Sequence, residues 1–359
     1  MKTAIWGAGY IAYMHAEALL AAGIDIAAVV DVNEEKAKAF AAQYQIEKWG
    51  RDSSLLLADE IRTVHVCTPP NLHYDMVMML LEHGKNVLCE KPLCFENGQA
   101  EKLAKKAKEC GVVCAINYNV RFHMACQKAR KLVDSESFGR VNLIHGSYLQ
   151  EFHVFPAPVD WRYHTELAGR MRAVTEIGTH WVDIAQYISG QKITALSANF
   201  GNFYPERYVE AGMMYPDSDH GRRQERMNVS SEDAAAVNLK FENGAIGTVL
   251  LSEVSQGRVN RISLEVTGEK MNLWWNSEDN NILNTAVKGN GVNSEIFAFG
   301  NGFMDTFREL VKAFYKDVKA GCVSDSPVYP TFEDGKDIVK ICNAMLQSAD
   351  SDGKWVSVE

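Results

Sequence analysis

The stretch Thr3-Ala4-Ile5-Trp6-Gly7-Ala8-Gly9-Tyr10-Ile11-Ala12 decides how the rest of the chain is read. Four residues of strand character run into two glycines, and a helical stretch over 10–22 follows. Gly7 suits a tight turn, and Gly9 lets backbone approach a pyrophosphate. Ala12 keeps helix and strand close, while Tyr10 and Ile11 open a helix whose N–H groups point at phosphate. Asp31 ends the next strand, 19 positions after Ala12. An acid at that distance accepts the hydroxyls of an adenosine ribose and repels a 2′-phosphate. Val32, Asn33 and Glu34 bring no cation to offset that repulsion, so NAD is favoured over NADP.

Outward from this turn, apolar strands at 26–30, 63–67, 86–89 and 112–116 alternate with helices at 34–44, 55–58, 73–83 and 97–110. Gly84 stands where a helix C-terminus wants a residue at positive φ. Nearly all-apolar strands alternating with helices imply a parallel sheet covered on both faces, a doubly wound Rossmann domain over 1–120. Beyond it the period changes. Helical signals at 126–133 and 181–188 are followed by alternating segments at 142–149, 193–200, 234–241, 245–252, 261–267 and 270–275. Glu242-Asn243-Gly244 is a hairpin turn between two of them. Strands in succession make a second, α+β domain over 121–359. The polar stretch 202–229 reads as a long loop, and 304–318 and 332–349 read as closing helices.

Composition sets outer bounds. With 359 residues the chain is long enough for two domains, and 47% hydrophobic with 23% charged residues is the globular balance. The net charge is 37 − 46 = −9 without a basic run, which argues against a nucleic-acid backbone as partner. No stretch approaches the roughly 20 apolar residues of a membrane span, and the start, Met1-Lys2 and a short apolar run ending at Gly7, lacks the pattern of a signal peptide. Eight cysteines without a Cys-x-x-Cys pair, three of them (Cys67, Cys89, Cys114) in apolar strands, read as buried free thiols of a cytoplasmic protein.

Two further constellations carry chemistry. Glu90-Lys91-Pro92 follows directly on the strand at 86–89, at the carboxyl end where open α/β sheets bind ligands. Pro92 fixes the local backbone and permits a cis bond, so Lys91 is aimed. Glu176, His180 and Asp183 recur at i, i+4 and i+7, placing two carboxylates and an imidazole on one face of a helix. Histidine takes a proton from an alcohol near neutral pH, and a lysine beside it polarises the same oxygen. Asp183 orients His180 or bonds the backbone. No ligand set for a metal is evident.

In order, Gly7-x-Gly9-x-x-Ala12, Thr68-Pro69-Pro70-Asn71-Leu72-His73, Gly84-Lys85-x-Val87-x-x-Glu90-Lys91-Pro92 and Gly178-x-His180-x-x-Asp183 resemble the Gfo/Idh/MocA oxidoreductases, dense to residue 190 and looser after it. The resemblance implies a Rossmann domain followed by a large, open, mainly antiparallel sheet, and a homo-oligomer (dimer or tetramer) built on such sheets. It implies that Lys91 contacts the reacting hydroxyl and that His180 is the acid/base. Glu176 stands where the family has an aspartate. Thr68, Pro69, Asn71, His73, Glu90 and Asn119 map to positions that line the cofactor. Asp160-Trp161-Arg162, with Tyr163 and His164, resembles a segment that reaches substrate in related sugar dehydrogenases, so Trp161, Arg162 and His164 join the expected site. Residues 254–261 are similar to a branch that includes levoglucosan dehydrogenase. The expected activity is NAD-dependent oxidation of a secondary hydroxyl of a pyranose, glycoside or cyclic polyol. A non-catalytic dinucleotide sensor and an NADP-dependent aldehyde or diketone reductase are the alternatives.

Overall fold

The computed structural model describes residues 2–358, which divide into two compact units. The first holds residues up to Phe122 together with Gly302–Val339, and the second holds His123–Asn301 and the residues from Lys340 on.

In the first unit, strands β1 (Lys2–Trp6), β2 (Asp25–Val30), β3 (Lys48–Gly50), β4 (Ile61–Val66), β5 (Asn86–Cys89) and β6 (Cys114–Ile116) form one sheet in the order β3-β2-β1-β4-β5-β6. Every pairing is parallel. Helices α1 (Tyr10–Ala21), α2 (Glu34–Tyr44), α3 (Ser54–Leu57), α4 (His73–Glu82) and α5 (Asn97–Cys110) connect the strands. The strands are apolar because both faces are covered. Ala4, Ile5, Val64, Val66, Val87 and Leu88 are wholly buried, and each large one contributes about 1.5–3 kcal/mol. The order reverses between β1 and β4, so the turns leaving those strands flank the switch point at which such sheets bind ligands.

The change of period after residue 120 points to a single second domain over 121–359, yet Gly302–Val339 belongs to the first unit. The helix Phe303–Ala320 buries Phe307, Leu310, Val311, Phe314 and Val318, spaced to make one apolar stripe. That stripe shares a core with Ala12, Ala16 and Leu19 of α1.

The second unit opens with α6 (Met124–Val133) and carries α7 (Thr165–Ala168) and α8 (Thr179–Ser189). Its strands are β7 (Val141–Leu149), β8 (Ala157–Pro158), β9 (Ile193–Gly201), β10 (Glu206–Glu210), β11 (Met213–Tyr215) and β12 (Glu225–Asn228). They continue as β13 (Ala234–Phe241), β14 (Ile246–Ser252), β15 (Arg261–Gly268), β16 (Met271–Asn276), β17 (Ile282–Val287), β18 (Val292–Ile296) and β19 (Val356–Ser357). Nine of them form an open sheet, β18-β17-β16-β15-β7-β14-β13-β9-β19, antiparallel except for β7 with β14. Inward residues alternate with exposed ones along β13 and β14, and Ile246 and Leu250 stand more than half exposed on β14.

The stretch 202–229 is not a loop. It supplies β10, β11 and β12, which form a second sheet with β8 in the order β12-β10-β11-β8. Its apolar core is small, Tyr163, Met214 and Val229. Guanidinium groups cover aromatic faces on the rest: Arg223 lies 3.6 Å over Tyr215 and Arg226 lies 5.7 Å over Tyr208. A sheet held this way is polar in composition, which hid it. None of the described helices is long and apolar enough to cross a membrane. All eight cysteines are unpaired, and Cys67, Cys89 and Cys114 are buried as expected.

Candidate active site

In the first unit the turn after β1 has the shape its residues predict. Gly7 sits at φ +101, and a Cβ there would lie 2.7 Å from the Cys67 carbonyl oxygen, so only glycine fits. Gly9 is the N-cap of α1, and a Cβ added to it would meet nothing within 4 Å. Open space beside a glycine at a helix N-terminus, with no side-chain cap using the first N–H groups, fits a pyrophosphate. Ala12 is fully buried beneath it. Asp31 accepts the Ala8 and Asn33 backbone N–H groups at 2.7 Å each, one per carboxylate oxygen. Each oxygen keeps a lone pair for a ribose hydroxyl.

The loop after β4 carries Thr68, Pro69 and Asn71, with Asn71 exposed. Three further residues expected to line the cofactor are buried and bonded within the protein. His73 spans two backbone carbonyls, Pro92 and Thr68, at 2.8 Å each. Asn119 donates to the Thr306 hydroxyl at 2.7 Å. Glu90 faces His15, at 2.9 Å, and Asn117, at 2.6 Å. Their side chains brace the loops that carry Thr68 and Lys91. Burial would raise the Glu90 carboxyl, but His15, Asn117 and Lys91 hold it below its ordinary range. Lys91 itself is partly exposed, and the Lys91–Pro92 bond is cis.

In the second unit, Val174–Gly178 is π-helical and leads into α8. Of the three residues at i, i+4 and i+7, Glu176 and His180 are both partly exposed, whereas Asp183 is turned into the core. Glu176 meets Arg162, Nε to Oε1 3.0 Å, whereas Asp183 is buried and its charge acts on the Cys126 thiol of α6. The π turn changes the register within the segment on which the spacing argument relied. His180 is partly exposed, its ring edge-on to Tyr148 with centroids 6.5 Å apart.

Asp160, Trp161 and Arg162 do come together with Glu176. The Arg162 guanidinium bonds Asp160 at 2.6 Å and lies 4.7 Å over the Trp161 ring. Burial alone would lower its pKa, but the Glu176 and Asp160 charges raise it. His164 turns elsewhere, with Nδ1 3.6 Å from Glu166.

Sequence reasoning missed the layer behind these residues. Arg172, Arg207, Asp233 and Glu253 have no exposed side-chain surface. Arg172 bonds Asp233 and reaches Glu253 at 2.8 Å, while Arg207 bonds the His153 carbonyl at 2.7 Å. His153 bonds the Tyr163 hydroxyl and lies 3.5 Å from Glu253. Burial first, then Arg172 and other guanidinium groups, push the imidazole down to about 4, so it is neutral near pH 7. Burial pushes Glu232, which accepts the Arg172 and Val174 N–H groups, up to about 7. The Nε2 or Nδ1 of His153 and carboxylate oxygens of Glu176 and Glu253 lie within 4.8 Å of one another, a metal-ligand spacing. Both carboxylates already face a guanidinium. The signal that could have found this layer is Glu232-Asp233 at the mouth of the apolar alternation of β13, two acids entering a core.

Comparison with known proteins places the chain. Residues 1–118 match the model described as the oxidoreductase family with an NAD-binding Rossmann fold, and residues 126–273 match the GFO/IDH/MocA C-terminal domain. The chain belongs to the Gfo/Idh/MocA oxidoreductase family. Levoglucosan dehydrogenase of Pseudarthrobacter phenanthrenivorans is 27% identical over 354 residues, covering 92% of this chain and 88% of that one. D-glucoside 3-dehydrogenase of Escherichia coli is 31% identical over 251 residues, covering 68% of each. A structure of levoglucosan dehydrogenase in complex with NADH and L-sorbose superposes with a TM-score of 0.89 at 25% identity, over 100% of this chain and 99% of that one. The protein is thus an NAD-dependent oxidoreductase of a family of sugar and polyol dehydrogenases.

Proposed function

We propose that the protein oxidises a secondary hydroxyl of a pyranose, glycoside or cyclic polyol, with the ring 3-hydroxyl of a glucoside-like substrate as the specific target. The observation that carries this reading is the group around Glu176: a carboxylate, the Arg162 fork and the Trp161 face gathered in the unit that holds His180. Aromatic faces and charged forks suit polyhydroxylated rings. NAD, preferred over NADP because of Asp31, supplies the hydride acceptor when bound. His180 takes the hydroxyl proton, and the Lys91 ammonium bonds the same oxygen and stabilises the charge that develops there. Glu176, with one methylene more than the family's aspartate, reaches a neighbouring hydroxyl while Arg162 holds it. Thr68, Pro69 and Asn71 contact the cofactor beside the Gly7–Ala12 turn.

We place the enzyme in the cytoplasm, supported by its eight unpaired thiols. Its oligomer, a dimer or tetramer, uses the open face of the nine-stranded sheet, where Ile246 and Leu250 are 59% and 55% exposed.

The test is NADH formation with NAD and a panel of inositols, pyranoses and glycosides, beside His180→Ala. Turnover of one class, lowered by roughly 10²–10⁴-fold in the variant, is expected. A silent panel with dinucleotide binding intact would favour the non-catalytic sensor.

A further inference from the structure

A chain of buried hydrogen bonds runs through the first unit, and none of its members was singled out for it by the sequence. It starts at a group that only accepts. The Thr3 hydroxyl donates to the Thr63 carbonyl at 2.9 Å, so its one hydrogen is spent there. Tyr315, on the helix Phe303–Ala320, donates to the Thr3 oxygen at 2.8 Å and so spends its own. The Tyr315 oxygen must then accept from His65 Nε2, 3.1 Å away. His65 is fully buried, and burial together with the charge of His15 pushes its pKa far down. Carrying its hydrogen on Nε2, it has a bare Nδ1. His15 on α1 therefore donates from its own Nδ1, at 2.8 Å.

The polarity of the chain is now fixed up to His15 Nε2, which faces Glu90 Oε1 at 2.9 Å. One proton lies on this contact, and its owner is decided by what else the carboxyl receives. Oε1 also takes an N–H of Asn117 at 2.6 Å, and Oε2 takes the backbone N–H of Lys91 at 3.2 Å. Donors on both oxygens favour the carboxylate. The other titratable groups acting on Glu90 are Lys91, whose charge favours the same form, the buried His73, whose pKa burial lowers, and the Cys67 and Cys89 thiols, which burial keeps neutral.

We propose that the proton of the buried His15–Glu90 contact rests on His15, as the hydrogen-bond directions on either side of it require, and that this pair is a positioning device that anchors the backbone of Lys91 to the helix whose N-terminus meets the pyrophosphate. His15 is 0% and Glu90 7% exposed. Water does not screen the pair, and it stays in one geometry. His65, Tyr315 and Thr3 act through it by denying His15 any other tautomer. The protonation states stand independently of the substrate; only the value of anchoring Lys91 rests on the function proposed above.

The test uses the full-length protein labelled with ¹⁵N-histidine, with NAD bound. Near neutral pH, His15 is expected to show two protonated ring nitrogens, and His65 a protonated Nε2 with a bare Nδ1. In Glu90→Gln the amide can donate to His15 instead, and the His15 Nε2 signal moves to the position of an unprotonated nitrogen. A His15 that is neutral in the wild-type protein, or that stays doubly protonated in Glu90→Gln, overturns the assignment. Anchoring is read separately by amide hydrogen exchange in His15→Gln. The Lys91 amide is expected to exchange about tenfold faster or more, with β1 unchanged. Equal acceleration in β1, or an unchanged Lys91 amide, reduces the pair to a structural one and overturns the positioning role.

Discussion

The two units bury charge in opposite ways. In the first, the fully buried His15 meets Glu90 at the end of a string of neutral donors and acceptors, while Lys85, Arg121 and Asp317 are buried apart from that pair. In the second, Arg172, Arg207, Asp233 and Glu253 are all without exposed surface and neutralise one another in a lattice, leaving His153 uncharged beside them. Direction of hydrogen bonds governs the first interior, and charge balance governs the second. A string tolerates loss of a member if the neighbouring donors remain. A lattice does not, because each removal leaves an ion without its counterion in a place water cannot reach.

The largest expected effect follows from that difference. Arg172→Met strands Asp233 and Glu253 and is expected to lower unfolding free energy by about 3–5 kcal/mol in urea titrations. A loss under 1 kcal/mol would mean that Arg207 alone balances both acids and that the lattice description is wrong.

Next comes pH. The His153 imidazole titrates near 6.5 when unfolded and at about 4 when folded. Between those values the unfolded chain binds more protons, so stability is full above 6.5 and is lost as pH falls towards 4, by about 3 kcal/mol in all. Glu232, raised from 4.5 to about 7, works against this, because its contribution falls as pH rises across that range. The difference between wild type and His153→Gln cancels Glu232 and isolates the histidine. Parallel stability curves for the two proteins would remove it from the lattice.

His15→Gln sharpens the contrast from the other side. Glu90 keeps Asn117 and the Lys91 N–H, so the loss is expected near 1–3 kcal/mol, smaller than for Arg172→Met. A thermal melt of both variants in one buffer ranks them. The smallest effect on stability belongs to Arg162→Gln. Its side chain is 40% exposed, so the ion pair with Glu176 contributes at most about 1 kcal/mol. A fall in kcat/KM at unchanged melting temperature would tie Arg162 to substrate, and equal turnover would free it from the site.

What was legible in the sequence follows the same division. Segments 34–44, 86–89 and 97–110 fold as read, because a covered parallel sheet writes its burial into uninterrupted apolar runs. The segment 234–241 is equally clear from its alternation. β10 to β12 were lost because arginine over tyrosine, rather than an apolar face, holds them. Strands β17 and β18, with mostly partly exposed or exposed residues, carry little alternation to read. Gly7, Gly9, Asp31 and Lys91 could be proposed from their spacing along short motifs. His15, Arg172 and Glu253 did not, since their partners lie 75, 61 and 81 residues away and a buried ion is spelled like a solvated one.

The π-helical stretch Val174–Gly178 has a consequence for anyone who edits this chain. An ordinary helix turns about 100° for each residue, so losing Ile177 or Gly178, with the segment relaxing to regular winding, would swing Glu176 around the axis relative to His180 while leaving both side chains unchanged. Chain length, rather than chemistry, sets the azimuth between these two groups. A one-residue deletion between them would act as a phase error: both groups present, both intact, and aimed apart.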